Sequence, residues 1–95
     1  YTLACDRQNP DIEPFVDTHH EAILRLIGMS AENAHRHGAW IGICGELAAD
    51  TTLTETFLRM GIDELSVAPA LVLKVRDAVR SLDLSVPLFR SAQSD

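Results

Sequence analysis

Four groups of side chains in this sequence have types and spacings that could do chemistry. The first is Cys44, in the stretch AWIGICGELAAD from Ala39 to Asp50. It ends an apolar run that begins at Trp40, and Gly45 and Glu46 follow it. A free cysteine is ordinarily a small buried hydrophobe. At the end of a strand, before a glycine and a helical turn, the same thiol lies where backbone N–H groups favour a thiolate or a bound anion. The second group is Glu46 and Asp50, four residues apart. They read either as carboxylates complementing a helix N-terminus or as a pair sharing one face of a short helix. The third is the histidines. His19 and His20 are adjacent, and His35 and His37 are two apart, about 200° around a helix. Neither pair has the i, i+4 spacing of a helical zinc site, so all four read as surface residues, with His35 and His37 complementing a helix C-terminus. The fourth is Arg7, beside Asp6 in the polar loop CDRQNP. It is either half of a solvated surface pair or a guanidinium whose planar fork grips a phosphate or carboxylate. Cys5 reads as inert.

The elements around these residues follow from periodicity. Pro10 and Pro14 keep the first segment irregular. Asp17 or Thr18 is placed to cap a helix over 19–37, where Ala22, Ile23, Leu26, Ile27, Ala31 and Ala34 recur at helical spacing and Gly38 ends the run. Residues 40–44 form a short strand. Their lack of polar alternation predicts burial on both faces, as in a parallel sheet. Residues 46–49 form at most one helical turn. A second helix is predicted over 51–60, with Leu53, Phe57 and Met60 on one side and Gly61 at its end. A second strand covers 64–67. Pro69 then opens a third helix, whose stripe is Leu71, Val72, Val75, Ala78, Val79 and Leu82. Pro87 stops any continuation. The order helix, strand, helix, strand, helix is a right-handed βαβ unit with flanking helices. Two strands make a poor sheet by themselves, which predicts a segment of a larger parallel sheet or barrel.

Composition narrows the function classes. The 95 residues carry 46% hydrophobic side chains and a net charge of −6, and Lys74 is the single lysine. A basic nucleic-acid groove is excluded, because phosphate affinity comes from clustered Lys and Arg. No apolar run approaches the roughly 18 residues that span a bilayer. There is no signal-peptide pattern and no initiating Met, which predicts a piece of a longer protein. The two cysteines have no metal-type spacing, and free thiols suit a reducing, cytoplasmic compartment.

Three stretches carry a resemblance: YTLACDRQN at the start, HGAWIGICGELAAD in the middle, and FLRMGIDELSVAP after it. Together they resemble the C-terminal end of enzyme I of the bacterial phosphoenolpyruvate-dependent sugar phosphotransferase system, and the related multiphosphoryl transfer proteins. Pyruvate phosphate dikinase and phosphoenolpyruvate synthase show a looser form of the pattern. The resemblance covers nearly the whole chain, to about Leu82, and leaves the tail from Leu84 unmatched.

The resemblance implies an α/β fold: the last two βα units or so of a (βα)8 TIM barrel that binds phosphoenolpyruvate, over residues 1–83, followed by a tail over 84–95. It implies that Cys44 is the proton donor to the methylene carbon of the pyruvate enolate, and that Arg7 contacts the phosphate of phosphoenolpyruvate. The residue types suit those roles: a thiol can act as an acid near neutral pH, and an arginine brings permanent charge to phosphoryl oxygens. It implies a parent that moves the phosphoryl group of phosphoenolpyruvate to an enzyme histidine and on to a phosphocarrier protein, releasing pyruvate. The Mg²⁺ ligands and the phosphorylated histidine of that family fall upstream of Tyr1, so the chain alone is expected to be inactive and to bind no metal. Uncovered strands and helix faces predict a homo-oligomer. A dikinase or synthase fragment, or a non-catalytic binding module, are the alternatives.

Overall fold

The computed structural model describes residues 2–6, 8–11, 17 and 19–86. Arg7 and the tail beyond residue 86 lie outside the described residues. The chain divides into two compact units, Tyr1–Ile41 and Gly42–Asp95.

The first unit begins with turns held by side chains. The Asp6 carboxylate accepts from the Gln8 amide at 2.9 Å, and the Asn9 side-chain oxygen from the Asp11 amide at 2.9 Å. These are the local bonds by which Asp and Asn compete with regular structure. Helix α1 spans Glu21–Arg36. Its cap differs from the expected Asp17 or Thr18. Asp17 instead forms the turn before the helix, accepting from the His19 amide at 3.0 Å. The cap is His20, whose Nδ1 accepts from the Ala22 amide at 3.0 Å. At the other end, Gly38 takes φ +76°. Its amide donates to His35 O and the Ala39 amide donates to Ala34 O, the two bonds of a Schellman cap. Two exposed ion pairs, Glu21–Arg25 and Glu32–Arg36, both at 2.9 Å, each add about 0.3–0.5 kcal/mol. The apolar stripe is graded: Ala31 is buried, Ile23 and Ile27 are half-buried, and Leu26 is exposed.

The second unit is a small α/β piece with parallel strands. Strand β1 is Gly42–Cys44 and β2 is Glu64–Ser66. They pair in parallel with Gly42 opposite Glu64, Ile43 opposite Leu65, and Cys44 opposite Ser66. Between them run a 3-10 turn over Glu46–Ala49 and helix α2 over Thr54–Arg59. After β2 come a 3-10 turn over Pro69–Leu71 and helix α3 over Val72–Arg80. The strands are shorter than predicted: β1 begins at Gly42 rather than at Trp40, and β2 ends at Ser66 rather than at Val67. Burial on both strand faces is also not what the structure has. Ile43 and Leu65 are half-buried, whereas Gly42, Cys44, Glu64 and Ser66 are exposed. Side chains alternate along a strand, so helices lying over one face cover the middle residue of each strand and leave its neighbours open.

The core of this unit is Ala48, Leu53, Phe57, Ile62 and Val75, with Thr54. Helix α2 begins later than expected, because the Asp50 carboxylate accepts both the Thr52 amide at 3.0 Å and the Thr52 hydroxyl at 2.5 Å, which winds 51–53 into a turn. It ends at Gly61, φ +92°. There the Ile62 amide returns to Phe57 O and the Gly61 amide to Leu58 O, a second Schellman cap leading into β2. The α2 residue Arg59 pairs with Glu55 at 2.8 Å. Its guanidinium also donates to the carbonyls of Asp83, Leu84 and Val86, tying the segment after α3 to α2.

Candidate functional site

Cys44 is the last residue of β1, at the C-terminal edge of the parallel pair. In parallel α/β sheets this edge is where the loops that hold ligands gather. The thiol is free and exposed. Gly45 follows with φ +92° and ψ −165°, a backbone conformation open essentially only to glycine. It turns the chain sharply from the strand into the 3-10 turn that starts at Glu46. A cavity of about 260 Å³ lies beside this edge, lined by Gly45, Glu46, Ala49, Ser66, Val67, Ala68 and Leu71. A larger one, about 400 Å³, opens over the start of β2 and α3, among Leu58, Leu65, Val75, Val79, Arg76 and Arg80 with Asp63 and Glu64. It is away from the thiol and is a seam between a strand and its helices. The smaller cavity is the one at the strand edge that ends in Cys44, with Gly45 and Ser66 rather than the thiol in its lining.

The parallel register brings a hydroxyl to the thiol. Cys44 and Ser66 are direct partners across the ladder. The Ser66 hydroxyl donates to the Glu64 carboxylate at 3.0 Å. Cys44, Ser66 and Glu64 therefore share one face, because residues i and i+2 of a strand point the same way. The other face carries Ile43 and Leu65, and Leu65 lines the seam with Val75 and Val79 of α3. Sequence reasoning missed Ser66 and Glu64. The signal was present as alternation in ELS, read against GIC in parallel register.

The remaining candidates separate. Glu46 and Asp50 do not share a helix face: the 3-10 turn ends at Ala49, Asp50 is extended at φ −79° and ψ 99°, and its carboxylate is engaged by Thr52. His20 is a cap, and His37 Nδ1 sits 3.0 Å from Asn33 O at the end of α1. Among the described residues, no three His, Cys, Asp or Glu side chains are grouped to hold a metal ion, and no helix is long and apolar enough to cross a membrane. Cys5 lies just after a turn, with its thiol against Leu3 O at 3.2 Å.

The model of the family described as PEP-utilising enzyme, PEP-binding domain, matches residues 1–84. The chain belongs to that family. Among curated relatives it is similar to proteins named phosphoenolpyruvate-protein phosphotransferase. The one from Priestia megaterium is 40% identical over 82 residues, which is 86% of this chain and 14% of the relative. The one from Listeria monocytogenes is 38% identical over 85 residues, 90% of this chain and 15% of the relative. The one from Enterococcus faecalis is 40% identical over 83 residues, 87% and 14% respectively. The chain thus spans about one seventh of the length of these relatives. The parallel α/β piece is consistent with a fragment of the family's domain.

Proposed function

We propose that this chain is the C-terminal part of the phosphoenolpyruvate-binding barrel of a cytoplasmic phosphoenolpyruvate-protein phosphotransferase. In this reading residues 1–83 supply the last two βα units of a (βα)8 barrel, and 84–95 form a tail. The parent moves the phosphoryl group of phosphoenolpyruvate to one of its own histidines, releases pyruvate, and passes the group to a phosphocarrier protein. Cys44 is the proton donor to the enolate left behind. The observation that carries the reading is the placement of Cys44: a free, exposed thiol on the C-terminal end of a parallel strand, turned by a glycine at φ +92°, in a chain of this family.

The chemistry follows from the residue types. Loss of the phosphoryl group leaves an enolate, and an acid beside its methylene carbon traps it as pyruvate. The Sγ–H proton goes to that carbon and the S–H electron pair stays on sulfur. The carbon–carbon double bond supplies the new C–H pair, and the oxygen pair closes the carbonyl. Arg7 is the proposed phosphate contact, and its fork suits phosphoryl oxygens. Mg²⁺ belongs to the full-length enzyme and is held by residues outside this chain, so no step here runs through it. The chain alone is proposed to be inactive and to self-associate through its uncovered apolar residues.

The test is Cys44→Ala in the full-length protein. A positioned general acid contributes about 10²- to 10⁴-fold. Pyruvate formation, and the exchange of pyruvate methyl protons with solvent deuterium, are expected to fall by that order while phosphoenolpyruvate binding is retained. Exchange at the unsubstituted rate ends the proton-donor assignment.

A further inference from the structure

We propose that Ser66, its hydroxyl fixed by Glu64, is a positioning residue for the Cys44 thiol. The proposal rests on the reading of Cys44 as the proton donor and adds a residue to it.

Register is the starting point. Cys44 and Ser66 are partners on neighbouring parallel strands, which lie roughly 4.8 Å apart. Their side chains leave the same face, so the thiol and the hydroxyl are neighbours by construction of the ladder. On that face β1 offers only Gly42 besides Cys44, and glycine brings no side chain to compete. The β2 side offers Ser66 and Glu64, already bonded to each other at 3.0 Å. A hydroxyl has one proton to give and two lone pairs. With that proton on Glu64, the Ser66 oxygen turns its lone pairs to other neighbours. The thiol is the neighbour across the ladder.

This geometry gives Ser66 two tasks in one turnover. Before the transfer the hydroxyl is on Glu64 rather than on the thiol, and Ser66 bounds by its bulk the strand face that carries the Cys44 side chain. After the transfer the sulfur carries a negative charge, and the hydroxyl rotates from Glu64 to donate to it. That bond exists only once the proton has left, so it favours the transfer rather than binding of the substrate. The surface alternative is a serine and a glutamate solvating an uncovered strand face. It requires nothing of the residue across the ladder, and the two readings differ in what Ser66 does to the chemistry.

The experiment is run on the full-length enzyme that carries this segment, with Cys44→Ala, Ser66→Ala and Ser66→Thr, each assayed for deuterium exchange into the pyruvate methyl group, KM and thermal midpoint. One hydrogen bond to a charged group is worth about tenfold in rate, and because the hydroxyl gives up Glu64 to reach the sulfur, the loss expected on removing it is a few-fold, up to about tenfold. Ser66→Ala is expected to slow exchange by that amount with KM and thermal midpoint unchanged. Ser66→Thr keeps the hydroxyl on a strand-compatible side chain and is expected to restore exchange. If Cys44→Ala abolishes exchange while Ser66→Ala leaves it unchanged, the inference about Ser66 is overturned and the reading of Cys44 stands. If Cys44→Ala exchanges normally, both fall. A Ser66→Ala variant that raises KM, lowers the thermal midpoint and is not rescued by threonine makes Ser66 structural and overturns the inference.

Discussion

Gly45 and Gly38 both have positive φ, +92° and +76°, yet they are expected to respond differently to substitution. At neither position would an added Cβ meet an atom within 4 Å, so any penalty is in the backbone itself. Gly38 ends α1 as the C′ residue of a Schellman cap. Asparagine adopts the left-handed conformation of that position at modest cost. Gly45 pairs its φ with ψ −165°, outside the left-handed helical region that asparagine tolerates. A side chain there costs about 1–3 kcal/mol. Removing glycine also narrows the unfolded ensemble, which returns about 0.4–1 kcal/mol. Gly45→Ala and Gly45→Asn are both expected to lose a net of about 1.3 kcal/mol, within limits of about 0 and 2.6 kcal/mol, whereas Gly38→Asn stays within about 0.5 kcal/mol. Urea titration followed by circular dichroism reads these differences. In the full-length enzyme, Gly45→Ala is also expected to slow pyruvate methyl exchange, because the turn that aims the end of β1 has moved. A Gly45→Asn variant as stable as Gly38→Asn would refute the reasoning, since it would mean that the chain leaves β1 by a conformation any residue adopts.

Three other substitutions or conditions test the packing. Phe57→Ala, at a fully buried position, is expected to cost about 3–5 kcal/mol, while Leu73→Ala, 75% exposed, stays within about 0.5 kcal/mol; equal losses in urea titration would show that α2 does not carry the core. Thr54 is buried, and its hydroxyl has no hydrogen-bond partner among the described residues, so Thr54→Val is expected to raise stability by about 1 kcal/mol by removing an unsatisfied group, and a loss of stability would reveal a partner. The Ser85 hydroxyl and then the Ser85 amide, both donating to Asp83, hold its carboxyl below the usual carboxylate value. A lowered value means that the bond's contribution is complete above the usual carboxylate range and is lost as pH falls through the depressed value. Amide chemical shifts of Ser85 should therefore titrate below the usual range, and a midpoint at or above it would contradict the geometry.

The elements were legible where one local pattern settled them. Helix α1 follows from a stripe of six apolar residues and from Gly38; it ends one residue earlier than expected, at Arg36, and starts at Glu21, where the His20 ring caps it. The breaks at Gly61 and Pro69 were equally local. Boundaries moved where a side chain captured the backbone, as Asp50 does with Thr52 ahead of α2. They moved again where a partner set the length: β1 begins at Gly42 because its ladder partner β2 begins at Glu64. Neither residue's immediate neighbours in the sequence say so.

Register also explains why half of the candidate site was visible and half was not. Cys44 stood out because its strand-end position before a glycine drew notice and the family resemblance then gave it a role, whereas by itself the thiol also read as a small buried hydrophobe. Ser66 and Glu64 read as ordinary members of a short strand, and they acquire meaning only when ELS is laid beside GIC in parallel. The pairing then sorts six residues into two faces. Ile43 and Leu65 form the apolar face, with Leu65 against the α3 valines, and a thiol, a hydroxyl and a carboxylate form the other. If the apolar face existed only to fill space beside the helices, the opposite face would be free to carry any polar residues. What distinguishes this one is that its cysteine lies opposite a serine whose proton is already committed to a carboxylate. The apolar side fixes which way the strands face, and that orientation is what brings the three polar groups together.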